Sequence, residues 1–270
     1  MSTSLDISED ILYPSGDGKP MAENTEQYRW IVMIKENLEI LFVNQPDVFI
    51  AADLFWYPVL VQARPVPQQA PDVMVVFGRP KGRRRSYKQW QEDNLPAQVV
   101  FEILSDSNKT REGREAMAAK FRFYEQYGVE EYYMYDPDEF SLQGWQRRSN
   151  SLVQIAPMFD WVSPRLGIQF EWQPSNELVL YRPDGQRFLS PVELSQQAEQ
   201  PQQRAEQAQQ QAEQAQQRAE QERLRAEQAQ QSLREAVPRL LALGLSVEQV
   251  AGSLGLSIAM VQAIVESMPE

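Results

Sequence analysis

The sequence predicts a mixed α/β domain followed by a long polar helix and a small apolar pair of helices. Three observations carry this reading. Apolar residues recur at a helical period over 24–42, switch to strand-like runs from residue 47, and return to a helical period once more near 113–127. The run Gln98–Leu104, QVVFEIL, is almost continuously apolar, the pattern of a strand buried on both faces. At Gln196 the texture changes, and Gln, Ala, Glu and Arg dominate to about residue 237. The expected divisions are an irregular segment at 1–23, an α/β domain at 24–194, a coiled-coil-like Ala/Gln-rich helix at 195–237 and a helical hairpin at 238–270.

Each element has a local reason. Asn24 can cap the first helix, with Gln27 three residues on completing a capping box. Trp30, Ile31, Ile34, Leu38 and Leu41 then share one face up to about Phe42. Asp47–Ala51 and Leu54–Tyr57 read as short strands of a hairpin. Val73–Phe77 is a β-branched and aromatic run behind Pro71 and Asp72, and the Gly-, Pro- and charge-rich 78–96 reads as a long loop. Helix follows at about 113–127, closed by Gly128. Glu131–Asp136 is an aromatic strand closed by Asp136-Pro137, and 141–146, 151–155, 168–172 and 178–181 read as further strands. The order of helix, strands, helix and strands gives a mixed α/β domain that ends near residue 190.

In the tail, Ala198, Ala205, Ala212, Ala219 and Ala226 stand seven apart, and Ala208, Ala215, Ala229 and Ala236 form a second series. These are the a and d positions of a heptad repeat. Alanine buries little area, so a lone helix stands beside a coiled coil as an alternative. Pro238 is expected to end that helix. Ser246 and Ser257 can cap the two terminal helices, whose spacing resembles a helix-turn-helix. The second of them carries no lysine or arginine, so a helical hairpin packing on itself or a partner is the preferred reading.

Composition narrows the chemistry. The chain has no cysteine and no histidine. Thiolate or His-ligated zinc, cysteine nucleophiles and the Ser–His–Asp triad are therefore excluded. An oxygen-only metal site remains open and favours magnesium or manganese. The formal net charge of −12 requires any nucleic-acid contact to be local. The run RPKGRRRSYK supplies a candidate in Arg83, Arg84, Arg85 and Lys88, against the alternative of a solvated loop. The first thirty residues show no basic start followed by an apolar run, and no stretch is long and apolar enough to span a membrane. A cytoplasmic location without membrane partners is the expectation.

The candidate chemistry centres on Asp72, Glu102 and Lys120. Asp72 begins a strand. Glu102 lies within an apolar strand, on the face of Val100 and Leu104, where a carboxylate is costly unless paired, hydrogen-bonded or metal-bound. Lys120 lies near the centre of the apolar arc formed by Ala116, Ala119, Phe123, Tyr124 and Tyr127, which directs it toward the sheet. A structural ion pair with Glu102 and a snorkelling lysine are the alternatives. Together the carboxylates could hold one or two magnesium ions that polarise a phosphate and activate a water, and the lysine could orient or deprotonate that water or offset charge on the phosphate.

The strings PDVMVVFG, QVVFEILSDSNK and AAKFRFYEQYGVEEYYMYDPD resemble the putative restriction endonuclease family abundant in cyanobacteria, within the PD-(D/E)XK nuclease superfamily. The resemblance covers roughly 20–190. It implies a restriction-endonuclease-like sheet flanked by helices, with Asp72 as the aspartate of the PD motif and Glu102 as the acid of the (D/E)XK half-motif. Leu104 stands where that half-motif has lysine, and Lys120 matches a lysine supplied from the following helix. The superfamily's acid from the first helix matches Glu26 as a metal ligand, with Asp53 as a rival. The resemblance further implies a magnesium- or manganese-dependent endonuclease hydrolysing DNA phosphodiester bonds. The alternative is a non-catalytic interaction protein that keeps the fold. The tail offers a route to a homodimer or to a protein partner.

Overall fold

The computed structural model describes residues 12–18 and 20–267. The chain divides into two compact units, Met1–Gln196 and Gln197–Glu270.

The first unit is built on a six-stranded sheet ordered β1-β3-β5-β6-β7-β8. Its members are β1 (Val48–Ala52), β3 (Val73–Phe77), β5 (Val99–Ile103), β6 (Glu131–Asp136), β7 (Ser141–Arg148) and β8 (Ser151–Gln154). Neighbours are antiparallel except β5 and β6, which run parallel. A parallel pair needs a crossover. Here it consists of α2 (Asp106–Lys109) and α3 (Arg111–Gln126), where the sequence indicated one helix. Helix α1 (Thr25–Leu41) starts at Asn24, whose side chain accepts from the Gln27 N–H.

The sheet separates two apolar cores. On one face Trp30, Ile31, Ile34 and Leu38 of α1 pack with Val99, Phe101 and Ile103 of β5. This core also takes in Phe170 and Leu180 from a small sheet of β9 (Trp161–Val162), β10 (Gln169–Glu171) and β11 (Val179–Tyr181). On the other face Phe123 and Tyr124 of α3 pack with Phe49, Met74, Val76 and Val100. Every residue of β5 is buried, as expected from its apolar run.

The expected hairpin at 47–57 does not form. Strand β1 pairs with β3, and β2 (Trp56–Tyr57) pairs in parallel with β4 (Tyr87–Lys88) inside the long loop. Asp53, in the left-handed region at φ 48°, donates its N–H to Pro71 O and Asp72 O beside the start of β3, and β1 and β2 each take a different strand as partner.

Helix α4 (Pro191–Ala242) spans 52 residues and runs through both Pro201 and Pro238. The expected stop at Pro238 is therefore corrected. Val237 is fully buried against Val250, Ala251 and Val261, with Leu240 and Leu241 in the same cluster, so packing holds both sides of the proline in helix. The terminal pair is α5 (Val247–Leu254), begun by a Ser246 capping box, and α6 (Ile258–Glu266), capped by Ser257. Among the described residues no single helix is long and apolar enough to cross a membrane.

Candidate active site

The sheet register brings three carboxylates level with one another. Val73 stands opposite Phe101, and Ala52 stands opposite Val73. One further step along each strand sets Asp72 opposite Glu102 and Asp53 opposite Asp72. All three continue the alternation of the α3-facing side, after Met74, Val100 and Ala51 respectively. The Asp53 N–H donates to Pro71 O at 3.1 Å and Asp72 O at 3.4 Å, which fixes the corner.

Asp72 lies just beyond the last β3–β5 pair, where the backbone of Ile103 has lost its strand partner. The Asp72 carboxylate replaces it, as Oδ2 accepts from Ile103 N at 2.6 Å. Gln27 serves the other Ile103 group, its Nε2 donating to Ile103 O at 2.9 Å. Glu102 is 2 % exposed. Its Oε2 accepts from Lys120 Nζ at 2.7 Å, and its Oε1 accepts from the Tyr124 hydroxyl. Lys120 also donates to Ala70 O at 3.3 Å. One turn of α3 thus supplies both partners of the strand carboxylate.

The site is short of positive charge. Burial and then the negative charge of Glu102 push the Asp72 carboxyl up to about 8, against the pull of Lys120 and the Ile103 N–H. Burial would lower Lys120, but Glu102 and Asp72 outweigh it and hold the ammonium above its ordinary value. Burial and the charge of Asp17 raise Asp53. Tyr124 is raised well above its ordinary value by burial and by Glu102, so it is a neutral donor. A cavity of about 310 Å³ opens on Asp72 and Lys120, with Asp17, Asp53 and Phe55 among its walls.

Of the residues singled out in the sequence, Asp72, Glu102 and Lys120 meet here and Glu26 does not. Glu26 pairs with Arg29 at 3.0 Å, with both side chains well exposed. The adjacent Gln27 takes the inward position, and Glu26 keeps the place in the first turn that favours the helix dipole. The basic run is also divided. Arg84 forms a two-pronged pair with Glu92, at 2.6 and 3.1 Å, and covers the Phe49 ring at 3.9 Å. Lys88 lies 5.5 Å from the centre of the Tyr13 ring. Arg83 and Arg85 are exposed. Tyr124 and Gln27 were not singled out as site residues. A tyrosine four residues after an inward lysine is the one signal that pointed to Tyr124.

An oxygen-only cation site fits these residues. Among the described residues no three ligating side chains stand in metal-holding geometry. Magnesium, however, is commonly held by one or two carboxylates together with waters. Asp72 and Glu102 supply two carboxylates against one lysine, a donor set whose chemistry suits a further positive charge.

No curated protein matches the chain. Among solved structures, the crystal structure of "a putative nuclease belonging to DUF820" from Anabaena variabilis is similar at 13% identity, over 56% of this chain and 79% of that one, with a TM-score of 0.36. The Uma2 family, described as "Putative restriction endonuclease", matches residues 33–181, a span that holds Asp53, Asp72, Glu102 and Lys120. By that match over more than half of its length, the chain belongs to the Uma2 family of nuclease-like proteins.

Proposed function

We propose that the chain is a metal-dependent endonuclease hydrolysing DNA phosphodiester bonds at the carboxylate row beneath α3. The observation that carries this reading is the register of Asp72 and Glu102 with Lys120 bonded to the latter. Asp72 and Glu102 would hold Mg²⁺ or Mn²⁺, and Asp53 adds a third carboxylate at the cavity wall. A bound cation supplies charge to polarise the phosphate and lower the pKa of an attacking water. Lys120, kept protonated by its acidic neighbours, acts as a donor and counter-charge to the phosphate rather than as the base. Tyr124 positions Glu102 by occupying one of its oxygens.

The metal part of the proposal is tested by the electron paramagnetic resonance signal of free Mn²⁺ titrated into the protein. Wild type should deplete the signal, and Asp72→Asn and Glu102→Gln should each restore most of it while remaining folded by circular dichroism. Undiminished binding in both folded variants would move the cation elsewhere and remove this assignment.

A further inference from the structure

We propose that the groove along the open edge of β1 holds the phosphodiester backbone of a DNA strand, with Arg83 as its principal contact. The inference rests on the nuclease reading for the identity of the ligand, but not for the groove itself.

Strand β1 is an edge of the six-stranded sheet. A groove of about 500 Å³ runs beside it, with Phe49 to Ala52 on the strand side and Arg83 to Arg85 on the loop side. Phe49, Ala51 and Asp53 follow one another on the α3-facing side, so the strand leads from the groove to the carboxylate row. The path from Phe49 to Asp53 is about 13 Å, at roughly 3.3 Å per residue. Leu54 lines the groove, while its neighbours Asp53 and Phe55 line the carboxylate cavity. One polymer strand could therefore lie in the groove and reach the acids with the next part of its length.

Charge selects the polymer. A chain of net charge −12 places three consecutive arginines at this edge. They are not equivalent. Arg84 is held by Glu92, and Glu92 also binds Arg79 at 2.8 Å. Lys81 pairs with Glu39 at 3.0 Å. These pairs fix the loop. Arg83 lies between them, exposed, with no carboxylate partner among the described residues. A fixed loop that presents one uncommitted guanidinium beside a strand edge is pre-organised for a phosphate, which arginine can bind through two N–H groups. The edge alone would also suit a β-strand from another chain. Arginine beside the edge favours the polyanion.

The test is binding, measured in EDTA so that neither cleavage nor metal contributes. Fluorescence anisotropy of a short labelled DNA duplex is compared for wild type, Arg83→Glu and Arg148→Glu, the last an exposed residue at the end of β7, on the far side of the sheet from β1. Arg83→Glu should weaken binding by roughly tenfold and lower the slope of log affinity against log salt by about one, whereas Arg148→Glu should do neither. Equal binding by wild type and Arg83→Glu, equal loss in both variants, or no binding by wild type at low salt would each overturn the assignment. An Arg83→Glu effect on self-association with DNA affinity intact would also overturn it, and would give the edge to a second copy. Loss of Mn²⁺ binding or cleavage in the carboxylate variants is a separate readout, so the groove and the nuclease reading can fail independently.

Discussion

The ammonium of Lys120 lies 2.7 Å from Glu102 Oε2, although one residue belongs to a helix and the other to the centre of a sheet. The pair exists because β5 and β6 are parallel, so the crossover helix must lie across the strand that bears the glutamate. Removing the lysine leaves a buried carboxylate with Tyr124 as its remaining side-chain partner. Lys120→Met should cost about 1–3 kcal/mol, less than a wholly dry pair would, because the lysine retains some exposure. Adding Glu102→Gln should recover part of that loss. Chemical denaturation of the two single variants and the double variant measures the coupling, and additive losses would show that the pair does not matter to the fold.

The position of Asp72 predicts how stability varies with pH. Its carboxyl is pushed up to about 8 by burial and by Glu102, from an ordinary value of 3.8. Between these values the folded chain keeps a proton that the unfolded chain has released. Stability from this group is therefore full below about 4 and is lost as pH rises toward 8. In the absence of divalent ions, Tm should fall through that window, and Asp72→Asn should flatten the slope. Divalent cations, which bind the ionised form, should offset the fall increasingly toward its upper end. A slope identical in wild type and Asp72→Asn would contradict the assignment.

Gly113 makes the corner between α2 and α3 possible. A Cβ there would lie 2.0 Å from Ser107 O and 2.6 Å from Asn108 Cα, both backbone atoms of the preceding helix. Gly113→Ala must push the helices apart, at a cost of about 1–3 kcal/mol. Because α3 carries Lys120 and Tyr124 two to three turns farther on, the change should also weaken Mn²⁺ binding. A variant with unchanged melting and binding would show that the corner is not set by this contact.

Much of this architecture is legible in the sequence because its signals are local. The continuous apolar run of β5, the Asn24 cap and the inward lysine of α3 each follow from neighbours a few residues away. The carboxylate row follows from strand pairing, which is non-local. By sequence Asp53 reads as a hairpin turn, whereas β1 pairs with β3 and not with β2. Glu26 and Gln27 differ by one position on a helix of 3.6 residues per turn, enough to put the acid outside and the amide inside. Arg83 and Arg84 are indistinguishable by type, and the distant Glu92 decides which is committed. Pro238 reads as a stop because the burial of Val237 against the terminal helices cannot be seen locally.

The proposed activity is hydrolysis at Asp72, Glu102 and Lys120. Its most direct test is incubation of supercoiled plasmid with the protein at low salt in Mg²⁺ or Mn²⁺, beside Glu102→Ala and Lys120→Ala. Metal-dependent nicking or linearisation by wild type, abolished in both variants, is the predicted result. Cutting that survives both substitutions would contradict the account.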